Sequence, residues 1–235
     1  MIKAIKIFIF FIILLVVFSK QIISHTSLYF FSKLIDREIV VDEFQINYRQ
    51  NSIFINNFKI MNPKEFYYDN FVELKKILLN YNFKSLFSDL IIINNLTLEN
   101  PMFYLEVLEK PSQELSPSKK QQNYEDNVGA VNKIVKSKPR KIWSPKDRDK
   151  NFLILNVKIN NAKAFIKTPI SKVPTKIDLS DIFFSRVGNG SFTGEYLHHK
   201  AALKKIVYDM IGNLADLELK NFLKKIYNYK NLYMY

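Results

Sequence analysis

The stretch Ile53–Pro63, IFINNFKIMNP, returns thirty-eight positions later as Ile91–Pro101, IIINNLTLENP, with Ile, Ile, Asn, Asn, Asn and Pro in matching places. A weaker third copy, Leu153–Asn161 (LILNVKINN), keeps the apolar alternation and the terminal asparagines but has Ala162 where proline stood. Alternation with period two is the mark of a half-buried strand, so the copies read as one strand unit used repeatedly. Uninterrupted alternation puts Phe54, Phe58 and Ile60 on one face with Asn56, and Ile53 and Ile55 on the other. In the second copy Ile92, Leu96 and Leu98 share a face; in the third Leu153, Leu155, Val157 and Ile159 form a fully apolar one. An apolar sheet face must be covered, and the candidates are helices near Leu28 and Leu203, a second sheet, or the acyl chain of a lipid.

Outward from the repeat, further strand signals run over Phe44–Tyr48, Phe71–Phe83, Met102–Leu108, Ala162–Lys167 and Lys176–Phe184. Asn62-Pro63 and Asn100-Pro101 are expected to close two strands, because proline cannot donate to a ladder and biases its predecessor toward extended geometry. Residues 110–150 shift to Lys, Ser, Pro, Gln and Asn, which reads as a basic linker. A helix capped by Thr193 is expected next, with Leu203, Ile206, Val207, Met210, Ile211, Leu214 and Leu217 spaced at three and four and a bend at Gly212-Asn213.

At the amino terminus Lys3 and Lys6 precede an apolar run, Ile7–Phe18, that resumes at Ile22 and Ile23. Two readings compete. The strict run has the length of a signal-peptide core, whereas Ile2–Ile23 reaches a spanning length if the lysines lie at the interfaces. The lack of an A-x-A-like cleavage site favours an uncleaved anchor. The terminal lysines then favour a cytoplasmic amino terminus and a body outside the cytoplasmic membrane. Of the 235 residues 48% are hydrophobic and 14% aromatic, enough for a packed core. The net charge of +13 is spread along the chain. Zero cysteines exclude disulfides, a cysteine nucleophile, a thiolate metal site and lipoprotein acylation.

Catalytic constellations are missing. His198 and His199 are expected side by side on a helix, pointing about 100 degrees apart, and His25 is remote, so no metal pairing or triad forms. Gly188, Gly190 and Gly194 lack both the spacing and the βαβ context of a phosphate-binding loop. The carboxylate pairs Asp42/Glu43 and Asp178/Asp181 show nothing that would separate their pKa values. The basic stretch Lys138–Trp143 (KPRKIW) reads as a solvated loop. No catalytic residue, cofactor, metal or nucleic-acid partner is expected.

The strand Ile55–Ile60, Asn62-Pro63, Phe66, the extended segment Val72–Phe83, the turn Ser85-Leu86-Phe87 and the strand pair Ile91–Leu105 around Pro101 follow in the order of the AsmA-like family of Gram-negative envelope proteins, which this chain resembles. Ile177–Gly190 followed by a helix resembles the close of short family members. The resemblance implies a non-catalytic protein of the inner membrane with its body in the periplasm, acting in outer-membrane assembly or lipid homeostasis. Phospholipid acyl chains, the bilayer and other envelope proteins are the expected partners; the alternative is a scaffold for outer-membrane proteins with no lipid of its own. Asn62, Pro63, Phe66, Asn100 and Pro101 carry the family pattern. The expected fold is α+β: a transmembrane helix, then a curved, mostly antiparallel sheet with one apolar face, closed by a C-terminal helix. Its divisions are an anchor (1–24), a first β-rich half (25–109), the linker (110–150), a second β-rich half (151–192) and the helix (193–235).

Overall fold

The structure, a computed structural model, describes residues 26, 28–29, 32–33, 36–110, 123–127, 151–171, 173–190 and 195–229. Among these, eleven strands join in one sheet. They are β1 (Ile39–Val40), β2 (Glu43–Asn47), β3 (Ser52–Met61), β4 (Asn70–Tyr81), β5 (Leu90–Lys110), β6 (Asn123–Asp126), β7 (Asn151–Asn160), β8 (Lys163–Lys167), β9 (Thr175–Asp178), β10 (Ile182–Gly188) and β11 (Leu197–His198). Two helices follow, α1 (His199–Gly212) and α2 (Leu217–Tyr229). A 3-10 turn, Phe83–Phe87, joins β4 to β5.

The 21-residue β5 is the spine of the sheet. It pairs antiparallel with β4 on one side and parallel with β7 and then β8 on the other. The parallel pairing runs from Leu90 opposite Asn151 to Glu106 opposite Lys167, an unchanged offset of 61. A parallel neighbour needs a long return connection, and the chain between Lys110 and Asn151 supplies it. The two β-rich halves are therefore one continuous sheet.

These findings correct the expected fold. The sheet is mixed rather than mostly antiparallel, since β5 pairs parallel with β7 and β8, and β10 with β11. Among the described residues no helix is long and apolar enough to cross a membrane. The apolar run Ile7–Phe18 lies outside the described residues, as do most of the linker and Lys138–Trp143. Of the helix expected from Leu28 to Ile35, the described Leu28, Tyr29, Ser32 and Lys33 are helical. Asn100-Pro101 does not close a strand: β5 runs straight through it.

The single expected C-terminal helix is two. Thr193 lies outside the described residues, and His198 caps α1 by accepting the Lys200 N–H. At the break Asn213 Nδ2 returns to the Asp209 carbonyl at 2.9 Å, and Asp216 Oδ1 accepts the Leu219 N–H at 3.0 Å, a side-chain cap for α2. Ile206, Met210, Ile211, Leu214, Leu219 and Leu223 are buried, whereas Leu203 and Leu217 are exposed. The buried set joins Val157, Ile159, Ala164, Ile166, Ile177 and Phe184 in the core cluster. Helix on sheet thus covers Val157 and Ile159 of the third copy of the repeat.

Candidate functional site

Three asparagines with left-handed backbones, Asn57 (φ 50°), Asn100 (φ 51°) and Asn161 (φ 53°), organise the sheet. Pairs on either side of them, Asn56 with Lys76 and Phe58 with Leu74, Lys76 with Glu99 and Leu74 with Pro101, Glu99 with Asn160 and Met102 with Lys163, set them in one row. The row reads Asn57, Lys75, Asn100, Asn161 across four adjacent strand positions. Asparagine tolerates this conformation better than other residues with a Cβ. Pro101, which has no N–H to donate, sits beside it where the ladder is already interrupted.

At this crease the side-chain alternation slips by one in every strand. Before it the inner face carries Ile53 and Ile55, Leu79 and Ile77, Leu96 and Leu98, Val157 and Ile159; after it, Phe58 and Ile60, Leu74 and Val72, Pro101 and Phe103, Ala162 and Ala164. Because all four strands slip together, the apolar face stays continuous. The face assignment from uninterrupted alternation is corrected accordingly. Phe54 pairs with Leu78 on the outer face, away from Phe58 and Ile60, with Lys76 Nζ 5.8 Å from its ring centre. Leu96, Leu98, Val157 and Ile159 do share the inner face, but a second interruption, at Asn94, Leu155 and the left-handed Arg186, separates them from Ile92 and Leu153, and it is Ile154 that pairs with the core residue Val187. Of these Leu153, Val157 and Ile159 are buried, with Leu96 and Leu98 packed against the core.

The strand copies also align differently in space. Leu79 stands between Ile53 and Leu96, so the first copy sits five residues out of step with the thirty-eight-residue repeat. The second and third copies lie side by side in register, with Asn156 Nδ2 donating to Asn95 Oδ1 at 3.2 Å. The carboxylates singled out in the sequence hold the repeat asparagines. Asp42 accepts from Asn57 Nδ2 at 2.7 Å, Glu43 from Asn56 Nδ2 at 2.6 Å, and Asp181 from the Asn161 N–H at 2.9 Å.

On the outer face Lys59, Glu73, Met102 and Lys163 form the next row of paired residues beyond the crease. This row, Lys75 and the three asparagines border a cavity of about 280 Å³. Two residues further along β5 and β8, Tyr104 and Phe165 stack at 5.2 Å, and Tyr68 lies over Tyr104 at 4.9 Å.

Tyr68 belongs to the turn after Asn62-Pro63, which folds onto this face. Asn62 Nδ2 closes the turn on the Tyr68 and Asn70 carbonyls, each at 3.0 Å, and Phe66 is buried. Beneath it Glu106, 1% exposed, accepts the main-chain N–H groups of Tyr67 and Tyr68. Asn127, fully buried, donates to Asn62 Oδ1 and the Tyr104 carbonyl and accepts the Glu106 N–H. Burial and then the Glu106 carboxylate push the Tyr68 hydroxyl up to about 12. Burial and then Glu73, which accepts the Tyr104 hydroxyl at 3.1 Å, push Tyr104 to about 12 as well.

The sequence reading missed Glu106, Asn127, Tyr68 and Tyr104. A glutamate inside the apolar strand Met102–Leu108 was the available signal, since a buried carboxylate demands donors. In the turn Ser85-Leu86-Phe87 Ser85 is buried and its Oγ accepts the Ile92 N–H at 2.9 Å, while Phe83 and Phe87 are exposed and meet edge to face.

The histidines differ from expectation: His198 caps α1 rather than lying on it, and its ring stacks on His199 at 4.5 Å. Burial lowers the His199 pKa, opposed by the Gly188 carbonyl 3.3 Å from Nδ1. Among the described residues no group of His, Asp or Glu is arranged to hold a metal ion. In comparisons with known proteins, neither a protein-family model nor a curated protein matches the chain.

Proposed function

We propose that the chain is a non-catalytic, AsmA-like envelope protein of the inner membrane, with its body in the periplasm. It serves outer-membrane assembly or lipid homeostasis by binding lipid acyl chains or docking on a lipid-handling protein. One observation carries this reading: the inner face extends past the helix-covered core. Ile53, Ile55, Phe58 and Ile60 of β3 and Val72, Ile77 and Leu79 of β4 continue the apolar face and are half-buried, yet no residue of β3 or β4 belongs to the core cluster beneath α1 and α2. A continuous apolar surface of this kind is where a protein receives hydrocarbon or another apolar surface. The hydrogen bonds of Asn62 and the buried Phe66 and Glu106 support the family reading by making the Asn-Pro turn a built element.

Native mass spectrometry of the detergent-extracted full chain, followed by lipid extraction, tests the proposal. Retained phospholipid that is lost in an Ile55→Asp, Ile77→Asp double variant is the expected result. A chain that emerges lipid-free, and crosslinks in cells to protein alone, replaces lipid binding with the scaffold reading.

A further inference from the structure

We infer that the tip of the β8–β9 hairpin, carried by Ile170 and Val173, docks at the headgroup boundary of a lipid bilayer. Ile170 is 43% and Val173 71% exposed, and each adjoins a proline, Pro169 or Pro174. The tip is built rather than slack. Thr168, itself buried, donates its N–H to Ser171 Oγ at 2.9 Å and accepts the Ser171 N–H at 3.1 Å, leaving Ile170 exposed at the corner of the turn. From Ala162 to Ile177 the hairpin carries four lysines and no acid. Neighbouring acids lie off the tip: Glu65 and Asp69 belong to the turn after Asn62-Pro63, Glu106 and Glu109 to β5, and Asp178 to the base of the hairpin, opposite Lys163. An apolar tip between lysine-bearing strands suits hydrocarbon overlaid by phosphate, where a carboxylate would be repelled.

The position of the tip names the bilayer. Ile39, Ile60, Val72, Phe103, Ala164 and Ile177 pair in one row across six strands. Strands β3, β5 and β8 run in the same direction, so Met61 and Lys167 lie beyond this row at the same end. The incoming chain reaches that end: Met61 donates its N–H to the Glu38 carbonyl at 2.9 Å, and Arg37 to the Ser32 carbonyl at 3.2 Å. The apolar stretch that closes at Ile23 stands fifteen residues before Glu38. The incoming segment and the turn after Asn62-Pro63 expose Tyr29 and Tyr67, each with a lysine over its ring, Lys33 at 5.7 Å and Lys167 at 4.6 Å. Rings and ammonium groups paired in this way belong at the level of the headgroups. The exposed Phe83 and Phe87 mark the opposite end, beyond Ser52 and Tyr81, about 33 Å away for the ten residues of β3.

The choice of bilayer rests on the anchored reading of the amino terminus; the docking of the tip does not. The test uses the full chain in phosphatidylcholine vesicles holding about 30 mol % phosphatidylglycerol. Trp143 is the only tryptophan, so in a Trp143→Phe background Val173→Trp reports the tip and Phe87→Trp the opposite end, with lipids brominated along the upper acyl chain as quenchers. Bromination is expected to lower the Val173→Trp emission at least about twofold and the Phe87→Trp emission by less than about a tenth. Adding Ile170→Asp to the Val173→Trp chain is expected to remove at least about half of that quenching.

An unquenched Val173→Trp in vesicles that keep the chain through an alkaline wash overturns the docking with the anchor intact. Equal quenching at both ends means that the body lies flat on the bilayer, and overturns the tip as the contact. Quenching unmoved by Ile170→Asp assigns the contact to the introduced indole alone and overturns the tip as well. A tip that stays unquenched in vesicles and crosslinks to protein in cells replaces the bilayer with a protein partner. Loss of the chain in the alkaline wash, with Val173→Trp quenched before it, removes the anchor and leaves the docking.

Discussion

Glu106 and Tyr67 lie thirty-nine residues apart, yet both carboxylate oxygens of the buried glutamate accept the Tyr67 main-chain N–H, at 2.7 and 2.8 Å. The contact ties the turn after Asn62-Pro63 to the C-terminal part of the longest strand. A carboxylate at 1% exposure is retained where its acceptor capacity is used, and here Tyr68 N–H shares it at 3.2 Å. Glu106→Gln turns one acceptor into a donor facing main-chain N–H groups. It is expected to cost about 1–3 kcal/mol, read from the midpoint of urea unfolding at unchanged slope.

Alkaline stability follows from the two tyrosines under the same turn. Their folded pKa values near 12 exceed the ordinary 10, so the neutral hydroxyls are favoured in the fold. Their contribution is complete below pH 10 and is lost as pH rises from 10 to 12. Thermal midpoints across that window are expected to fall, and a Tyr68→Phe, Tyr104→Phe chain to fall less steeply. The variants separate at neutral pH. The Tyr68 hydroxyl is buried without a partner, so Tyr68→Phe alone is neutral or stabilising by up to about 1 kcal/mol, whereas Tyr104→Phe gives up its bond to Glu73.

Asn100 is held at φ 51° in the interior of β5. Glycine reaches that conformation freely and valine does not. Asn100→Gly is expected to leave stability within about 0.5 kcal/mol, while Asn100→Val costs about 1–2 kcal/mol or more, measured by chemical denaturation. Equal effects of the two substitutions would mean that the side chain, not the backbone, matters at the crease.

The strands were legible because period-two alternation survives in each half of the crease, as in Ile77–Tyr81 and Ala162–Ile166. The slip at each asparagine was also written in the spacing. Ile53 and Ile55 are followed by Phe58 and Ile60, and Leu96 and Leu98 by Pro101 and Phe103, each with a gap of three. A gap of three reads as noise until the backbone at Asn57 or Asn100 is known to be left-handed. The parallel join of β5 to β7 could not be read, because pairing across a connection of some forty residues depends on which edge the returning strand finds, and alternation is the same for either direction. The lock at Glu106 was hidden for another reason. Its donors are main-chain groups of Tyr67 and Tyr68, which every residue carries.

The slip itself is tested by two positions that unbroken alternation treats alike as apolar-face residues. Ile159 is 2% exposed, pairs with Ile182 of β10 and belongs to the core cluster that includes α1 and α2 side chains, so truncating it leaves a cavity in the core. Ile159→Ala is expected to cost about 2–5 kcal/mol. Phe54 stands on the outer face, half-buried and flanked by Lys76, so Phe54→Ala removes partial burial without opening the core and costs about 1 kcal/mol. The sharper comparison is charge. Phe54→Lys places an ammonium on a face that already carries Lys76 and Lys59 and leaves the chain folded, whereas Ile55→Lys, one residue along, drives a charge into the inner face. Unfolding midpoints should therefore separate the two lysine variants by at least about 2 kcal/mol. Indistinguishable midpoints, or a greater loss for Phe54→Lys, would place Phe54 on the inner face and remove the slip at Asn57.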